Sequence, residues 1–361
     1  MFINIRTCLT AALIATTFAA CKHEDLDVPD ENKTFRLAGD FIRNNYDLSM
    51  FAAAIEHAGM QEELNTVGPY TIFAPNNTAF AQLGINRPSD FANMNKDSLR
   101  NLLHYHMLDR RLLRADLPTN SLDTRYASLY EGREPYFTFA TYGSSGPAYS
   151  SNFVFVNGAF VVKNDVALSN GVLHVVDKVM KYTPGTVQEW LGKRAEYSVF
   201  VEGLKKFGYW EQLAEEGTRT VYAPDNDAFE QAGITAEWIQ QANVNEYVGA
   251  RLFGIYILPG RRFFTGDFIA AGIIFGNGGF GALIPGDTYK FTVRGEKDTY
   301  RQQPTSIAIT FTDPATEERP WDQPVRDVTS NIPGRIDNLT DNGVVHYIPD
   351  VLVLPNEAEK K

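Results

Sequence analysis

Cysteine is nearly absent: the 361 residues contain two, Cys8 and Cys21, both close to the N-terminus, so no disulfide framework can staple the fold. Catalytic signatures are missing too. The chain has no G-x-S-x-G elbow, no P-loop and no H-E-x-x-H helix, and its carboxylates lie scattered along polar stretches, where charge is usually just solvated. An enzyme is therefore unsupported, although triads can assemble from distant residues. Positive charge is in deficit, with 33 Lys and Arg against 44 Asp and Glu, which argues against a nucleic-acid partner. What the chain does have is 44% hydrophobic residues, enough for about two domains that each bury a core.

The N-terminus reads as a targeting segment. A positively charged start, "MFINIR", leads into an apolar stretch, "TCLTAALIATTF", too short to span a bilayer, and small residues close it before Cys21. This resembles a bacterial lipoprotein signal at residues 1–20, with Cys21 as the lipidated first residue of the mature chain. Cys8 would leave with the signal, so Cys21 would have no partner. An ordinary secretory signal cut near Ala20 is the alternative. Residues 21–33 are acidic and poor in apolar side chains, as a flexible tether would be. A lysine followed by acids behind the cysteine is similar to the export signal of surface lipoproteins in Bacteroidetes, which implies a lipid-anchored protein of the outer membrane exposed at the cell surface. Loss of Arg6 with the signal would take the formal charge from −11 to −12.

The remainder repeats itself. Sliding the sequence by 149 positions lays Ser49–Ile85 on Ser198–Ile234 without a gap, with 15 identities in 37 pairs. Within this match Ser49 and Ser198 stand where a helix N-cap is expected, and Gly59 and Gly208 where a helix ends. The phrases "YTIFAPNNTAF" and "RTVYAPDNDAF" then give a strand ended by Pro75 or Pro224. Asn76/Asn77 or Asp225/Asn226 are placed to cap a short helix that buries Phe80 or Phe229. A second phrase, "SNGVLHVVDKVM" from Ser169, recurs as "DNGVVHYIPDVL" from Asp341 at an offset of 172, so the second copy carries about 23 extra residues between its phrases.

With both phrases in place, residues 34–355 resemble two tandem fasciclin domains. "TIFAPNNTAF" with "NGVLHVVD" marks the first, residues 34–182, and "TVYAPDNDAF" with "NGVVHYIP" marks the second, residues 184–355, leaving 356–361 as a tail. The resemblance implies an α+β fold in which each domain is a β-sandwich wedge packed with short helices. It implies adhesion or extracellular binding of a protein or glycan, without catalysis or a cofactor. An accessory glycan-binding role in an outer-membrane uptake system is the alternative. Two self-contained modules are expected to unfold separately. The family's Tyr-His pair is Tyr105-His106 here, and Ile255-Tyr256 stands at the corresponding place of the second copy. His174 and His346 sit at matching places in the closing phrases.

Several residues admit two readings. His104 and His106 alternate as ligands on a strand might, with His174 nearby, yet no Cys, Asp or Glu completes a spacing for metal, so no metal site is expected and His106 and His174 are expected to be satisfied core histidines. "GNGGFG", Gly276–Gly281, satisfies G-x-G-x-x-G, but Pro285-Gly286 follows too soon for the helix that dinucleotide binding requires. Two short strands joined by a glycine turn, the first being "FIAAGIIF", are expected instead. The five glycines and Asn277 within Phe268–Ile284 also argue against a membrane span. For the binding surface, two loops stand out. Tyr126–Tyr149 offers Tyr130, Tyr136 and Tyr142 as rings for sugar stacking, if they do not face inward from strands. Arg294–Asp327 offers Trp321 flanked by Arg319 and Arg326 as an interface anchor, with "SIAITFT" within it expected as a strand.

Overall fold

The computed structural model describes residues 35–143, 151–276, 280–283, 290–297, 304–312, 326–330 and 332–360. Strands of the first copy are β1 (Tyr70–Pro75), β2 (Met107–Leu108), β3 (Ser121–Arg125), β4 (Tyr136–Tyr142), β5 (Ser151–Val156), β6 (Ala159–Leu168) and β7 (Gly171–Val176). Those of the second are β8 (Arg219–Pro224), β9 (Ile257–Pro259), β10 (Phe280–Leu283), β11 (Lys290–Lys297), β12 (Pro304–Thr312), β13 (Arg326–Ser330), β14 (Asn338–Leu339) and β15 (Val344–Ile348). The fold is α+β, with short helices packed on curled sheets. In the first copy the strands join in one sheet of order β2-β1-β7-β6-β5-β4-β3, with register shifts in β6 between Val161 and Lys163 and between Lys163 and Val166. In the second they form two sheets, β14-β15-β8-β9 and β10-β11-β12-β13.

The two repeated phrases meet in space. The opening strand β1 and the closing strand β7 run parallel with Phe73 opposite His174, and β8 and β15 do the same with Tyr222 opposite His346. The residues of the closing phrase explain why the pairing is so specific. Asn170 donates its amide to the carbonyls of Leu64 and Thr66 and accepts from the Ala38 amide; Asn342 does the same with Leu213, Glu215 and Val187. A Cβ on the glycine that follows would lie 2.2 Å from the Tyr70 carbonyl oxygen at Gly171, and 2.6 Å from that of Arg219 at Gly343. Only glycine lets the neighbouring strand approach this closely.

The opening phrase caps two helices, one of them distant. Asn76 accepts from the Ala79 amide and Asp225 from the Ala228 amide, closing the short helices Asn77–Ala81 and Asn226–Gln231 as expected. Asn77 and Asn226 instead reach back to the preceding helices, Ser49–Ala58 and Ser198–Lys206. Each accepts the first free amide, from Met50 at 2.9 Å or Val199 at 3.0 Å, and donates to Tyr46 or Ala195. Ser49 and Ser198 are thus the first helical residues rather than the N-caps, because the first residue of the short helix after the strand supplies the acceptor. Gly59 and Gly208 end their helices at positive φ, and Phe80 and Phe229 are buried.

Two other sequence expectations need correction. "FIAAGIIF" lies in an α-helix, Thr265–Phe275, stopped by Gly276 in the left-handed region. A continuous apolar run carries no period that separates a buried strand from a buried helix. Asp267 accepts from the Phe264 amide and starts the helix, as Asp116 does with Leu113 for the single turn Arg114–Asp116 of the first copy. Part of the second copy's extra length is therefore helix, and much of Arg294–Asp327 is strand, β12 covering "SIAITFT". Gly281 lies inside β10, so no helix begins at the last glycine of "GNGGFG".

Each copy has a core of its own, around Phe51, Phe80 and Phe91 in the first and Phe200, Phe229 and Phe253 in the second. Two further clusters are shared. One joins Phe73, Phe137 and Val156 to Phe264, Leu339 and Val344; the other joins Phe153 and Phe155 to Ile269 and Ala270. The helix Thr265–Phe275 reaches the first copy here, since a Cβ on Gly266 would meet the Phe155 ring at 2.5 Å. Residues Arg36–Lys361 form one compact unit. Separate modules are not what this packing describes.

Candidate functional site

The family-marked residues are buried and hydrogen-bonded within the fold. His104 lies in the helix Lys96–Tyr105 and His106 follows it as its C-cap, before β2 begins at Met107, so the two do not alternate on a strand as ligands would need to. Its Nδ1–H donates to the Leu102 carbonyl at 2.8 Å, and Nε2 accepts from the Met180 amide at 2.9 Å. His174 donates through Nε2 to Leu112 O and accepts at Nδ1 from the Asp165 amide; His346 repeats this with Phe263 O and the Asp337 amide. Both nitrogens of each ring are committed to backbone groups, which fixes the neutral tautomer. Burial holds all three imidazoles below their ordinary range, His106 down to about 4. Among the described residues no group of three or more His, Cys, Asp or Glu is arranged to hold a metal ion.

The second copy solves the His106 problem differently. Leu352, which corresponds to Met180, donates its amide to the Tyr256 hydroxyl at 2.9 Å. The partner in the second copy is thus Tyr256, the residue that stands at the place of His106, since Leu108 and Leu258 pair with the corresponding Thr71 and Thr220. Tyr105 itself is buried, accepting from Asn157 at 2.7 Å and donating to the Glu134 carbonyl at 3.3 Å.

Ionisable chemistry concentrates at the junction between the copies. Lys178 Nζ lies 3.0 Å from Asp337 Oδ2 and also reaches the Gly158 carbonyl and the Thr265 hydroxyl. Thr265 returns two bonds to Asp337, from its amide at 2.8 Å and its hydroxyl at 2.7 Å. Burial alone would raise the Asp337 carboxyl, but the Lys178 charge, His346 and the Thr265 bonds hold it below its usual range. A second crossing bond joins the Thr138 hydroxyl to Asp267 at 2.5 Å, where burial pushes the carboxyl up to about 7.

Beside this network a small cleft of about 90 Å³ opens between Tyr105, Arg133, Glu134, Tyr136, Tyr182 and Asp341. Arg133 donates to Asp341 at 2.7 Å while lying 4.7 Å over the Tyr182 ring, and the Tyr182 hydroxyl donates to the same carboxylate. Tyr130 meets Tyr182 edge-on, and Tyr136 lies beneath Arg262 at 4.4 Å. Of the three tyrosines expected to stack on sugars, Tyr130 and Tyr136 are thus half-buried in the junction and only Tyr142 is well exposed, at 65%. Trp321, Arg319 and Cys21 lie outside the described residues; Arg326 begins β13, its backbone paired opposite Phe311. Sequence reasoning missed Lys178, Asp337, Arg133 and Asp341. The signal was in the differences between otherwise matching phrases: Ser169 against Asp341 and Lys178 against Asp350.

Parallel opening and closing strands, built twice and joined through a buried junction, define an α+β chain of two paired copies. The fasciclin domain model matches residues 46–182. Protein sll1483 of Synechocystis sp. is 35% identical over 137 residues, covering 38% of this chain and 68% of that protein. The chain belongs to the fasciclin domain family. Transforming growth factor-beta-induced protein ig-h3 of Sus scrofa is 26% identical over 300 residues, 83% of this chain, and periostin of Homo sapiens is 29% identical over 172 residues, 47% of this chain. The chain spans only 37% and 19% of the length of those two relatives. A solved FAS1 domain pair from the insect cell adhesion molecule fasciclin I covers 86% of this chain and 97% of its own at 16% identity, with a TM-score of 0.36.

Proposed function

We propose that this protein is a lipid-anchored adhesion or binding protein of the outer cell surface, carrying its two fasciclin copies as one rigid head. Cys21 is the anchored residue, residues 1–20 are the signal and 21–33 the tether. An extracellular protein or glycan is the ligand. The observation that carries the reading is the commitment of the buried ionisable groups. Histidines and the Lys178–Asp337 pair are bound to backbone or across the junction, which builds a rigid scaffold and leaves recognition to the exposed surface. The relatives ig-h3 and periostin, and one named as a fasciclin-like arabinogalactan protein of Phaeosphaeria nodorum, are compatible with that reading. The second reading, an accessory glycan-binding component of a nutrient uptake system, is favoured by Tyr142, an exposed ring at the end of β4.

The test is made on intact cells. Wild-type protein is expected to pellet with membranes, to be labelled by an impermeant reagent and to raise cell attachment to polymer-coated surfaces. Cys21→Ser should shift it to the soluble fraction and abolish the attachment, because acyl chains would supply the anchoring. A Cys21→Ser protein still found with membranes, or attachment independent of the protein, overturns the proposal.

A further inference from the structure

The two copies differ most tellingly at one corresponding place. In the second copy Arg335 lies 3.5 Å over the Tyr347 ring, pairs with Asp225 at 2.9 Å and donates to the Tyr197 hydroxyl at 3.3 Å, filling the space between the closing strand and the start of the short helix. The histidine contacts align the counterparts. Asp165 and Asp337 both donate their amides to the Nδ1 of the closing-strand histidine, so Lys163 corresponds to Arg335 and Val175 to Tyr347. The cap bonds likewise pair Asn76 with Asp225. Every member of the plug is replaced in the first copy, with Leu48 in place of Tyr197. A cleft of about 330 Å³ is open there.

The lining of that cleft is mixed. Val162 and Val175 give an apolar floor, and Asn45, Asp47, Thr78 and Lys163 stand around it. Among the described residues the Lys163 ammonium, the Asp47 carboxylate and the Thr78 hydroxyl make no hydrogen bond or ion pair within the protein. Tyr46, which stands in the chain between the lining residues Asn45 and Asp47, is 87% exposed. Its counterpart, aligned by the carbonyl that accepts from Asn77 or Asn226, is Ala195. The copy with the filled space therefore lacks the exposed ring, and the copy with the open space has it.

We infer that this cleft of the first copy is a saccharide-binding site, with Tyr46 as the stacking platform and Asp47, Thr78 and Lys163 as hydroxyl-binding groups. A sugar ring offers one apolar C–H face and a rim of hydroxyls that both donate and accept, which matches a carboxylate, a hydroxyl and an ammonium set around valines and a tyrosine. A phosphate ligand does not match, because Lys163 is the single cation in the lining and shares it with Asp47, on a protein of net charge −11. Strand addition by a peptide is also ruled out, since β7 is already paired on both sides.

This inference rests on the surface-binding reading and narrows its ligand. The purified full-length protein is applied to immobilised glycans ending in neutral hexoses, N-acetylhexosamines or uronic acids, and the best binder is titrated calorimetrically as a soluble oligosaccharide. Binding to at least one class is expected, weakened tenfold or more by Tyr46→Ala. It should also be weakened by a variant that imports the plug, Asn76→Asp with Lys163→Arg and Val175→Tyr. Circular dichroism checks the fold, and if the plug variant is unfolded, Thr78→Val combined with Tyr46→Ala decides. Binding to none of the three classes, or binding unchanged in the folded variants, overturns the inference. Cell attachment is measured in parallel: attachment that persists without glycan binding defeats the saccharide site and leaves the surface-binding reading standing.

Discussion

Lys178 and Asp337 form an ion pair at 3.0 Å with side chains 9% and 4% exposed, one contributed by each copy of the repeat. Removing one partner of a buried pair strands the other charge in a medium of low dielectric. Lys178→Ala is therefore expected to cost about 3–5 kcal/mol in urea unfolding. Arg133 and Asp341 lie at 2.7 Å but are about a third exposed, so Arg133→Ala should cost no more than about 1 kcal/mol from the pair itself. Equal losses for the two substitutions would contradict the difference in burial.

The distant caps give a matched pair of experiments. Asn77→Ala and Asn226→Ala each remove the acceptor of a helix's first amide and the donor to the chain before it. Each should destabilise by about 1–2 kcal/mol, measured by chemical denaturation. A loss for one and none for the other would mean that the repeat is geometric without being energetic.

Acid stability provides a third prediction, with its sign fixed by His106. Its native pKa is about 4 and lies below the ordinary value of 6.5, so the unfolded chain binds a proton first as pH falls. The stabilisation is complete above about pH 6.5 and is lost progressively down to about 4, an order-of-magnitude total of about 3 kcal/mol. Asp267, raised by burial to about 7 from an ordinary value of 3.8, acts in the opposite sense across the whole of this window, so the wild-type curve is a difference of terms. His106→Gln should be less stable at pH 7 and show a flatter decline between pH 6.5 and 4. An unchanged slope would refute the neutral buried imidazole.

Much of this architecture was legible from repetition alone. Pro75 and Pro224, Phe80 and Phe229, and the Asn-Gly of each closing phrase recur because the same strand pair and the same capped helix are built twice. The sharing of labour between residues was not legible. Asn77 looks like a local cap and serves a helix twenty-eight residues earlier in the chain, at Ser49. Tyr256 does with a hydroxyl what His106 does with a ring nitrogen. "FIAAGIIF" has no polar residue to show its period, so its helical state is set by the Asp267 cap and by packing against Phe155. The junction left only the faint trace of a lysine and an aspartate at places where the copies disagree.

The central claim is that the two fasciclin copies are one cooperative body, and differential scanning calorimetry tests it most directly. The shared clusters and the Lys178–Asp337 pair predict a single transition with equal calorimetric and van't Hoff enthalpies. Phe80→Ala and Phe229→Ala, each costing about 3–5 kcal/mol through the cavity left behind, should shift that transition as a whole. Two resolved transitions in the wild-type protein, with each substitution moving only the one from its own copy, would contradict the account.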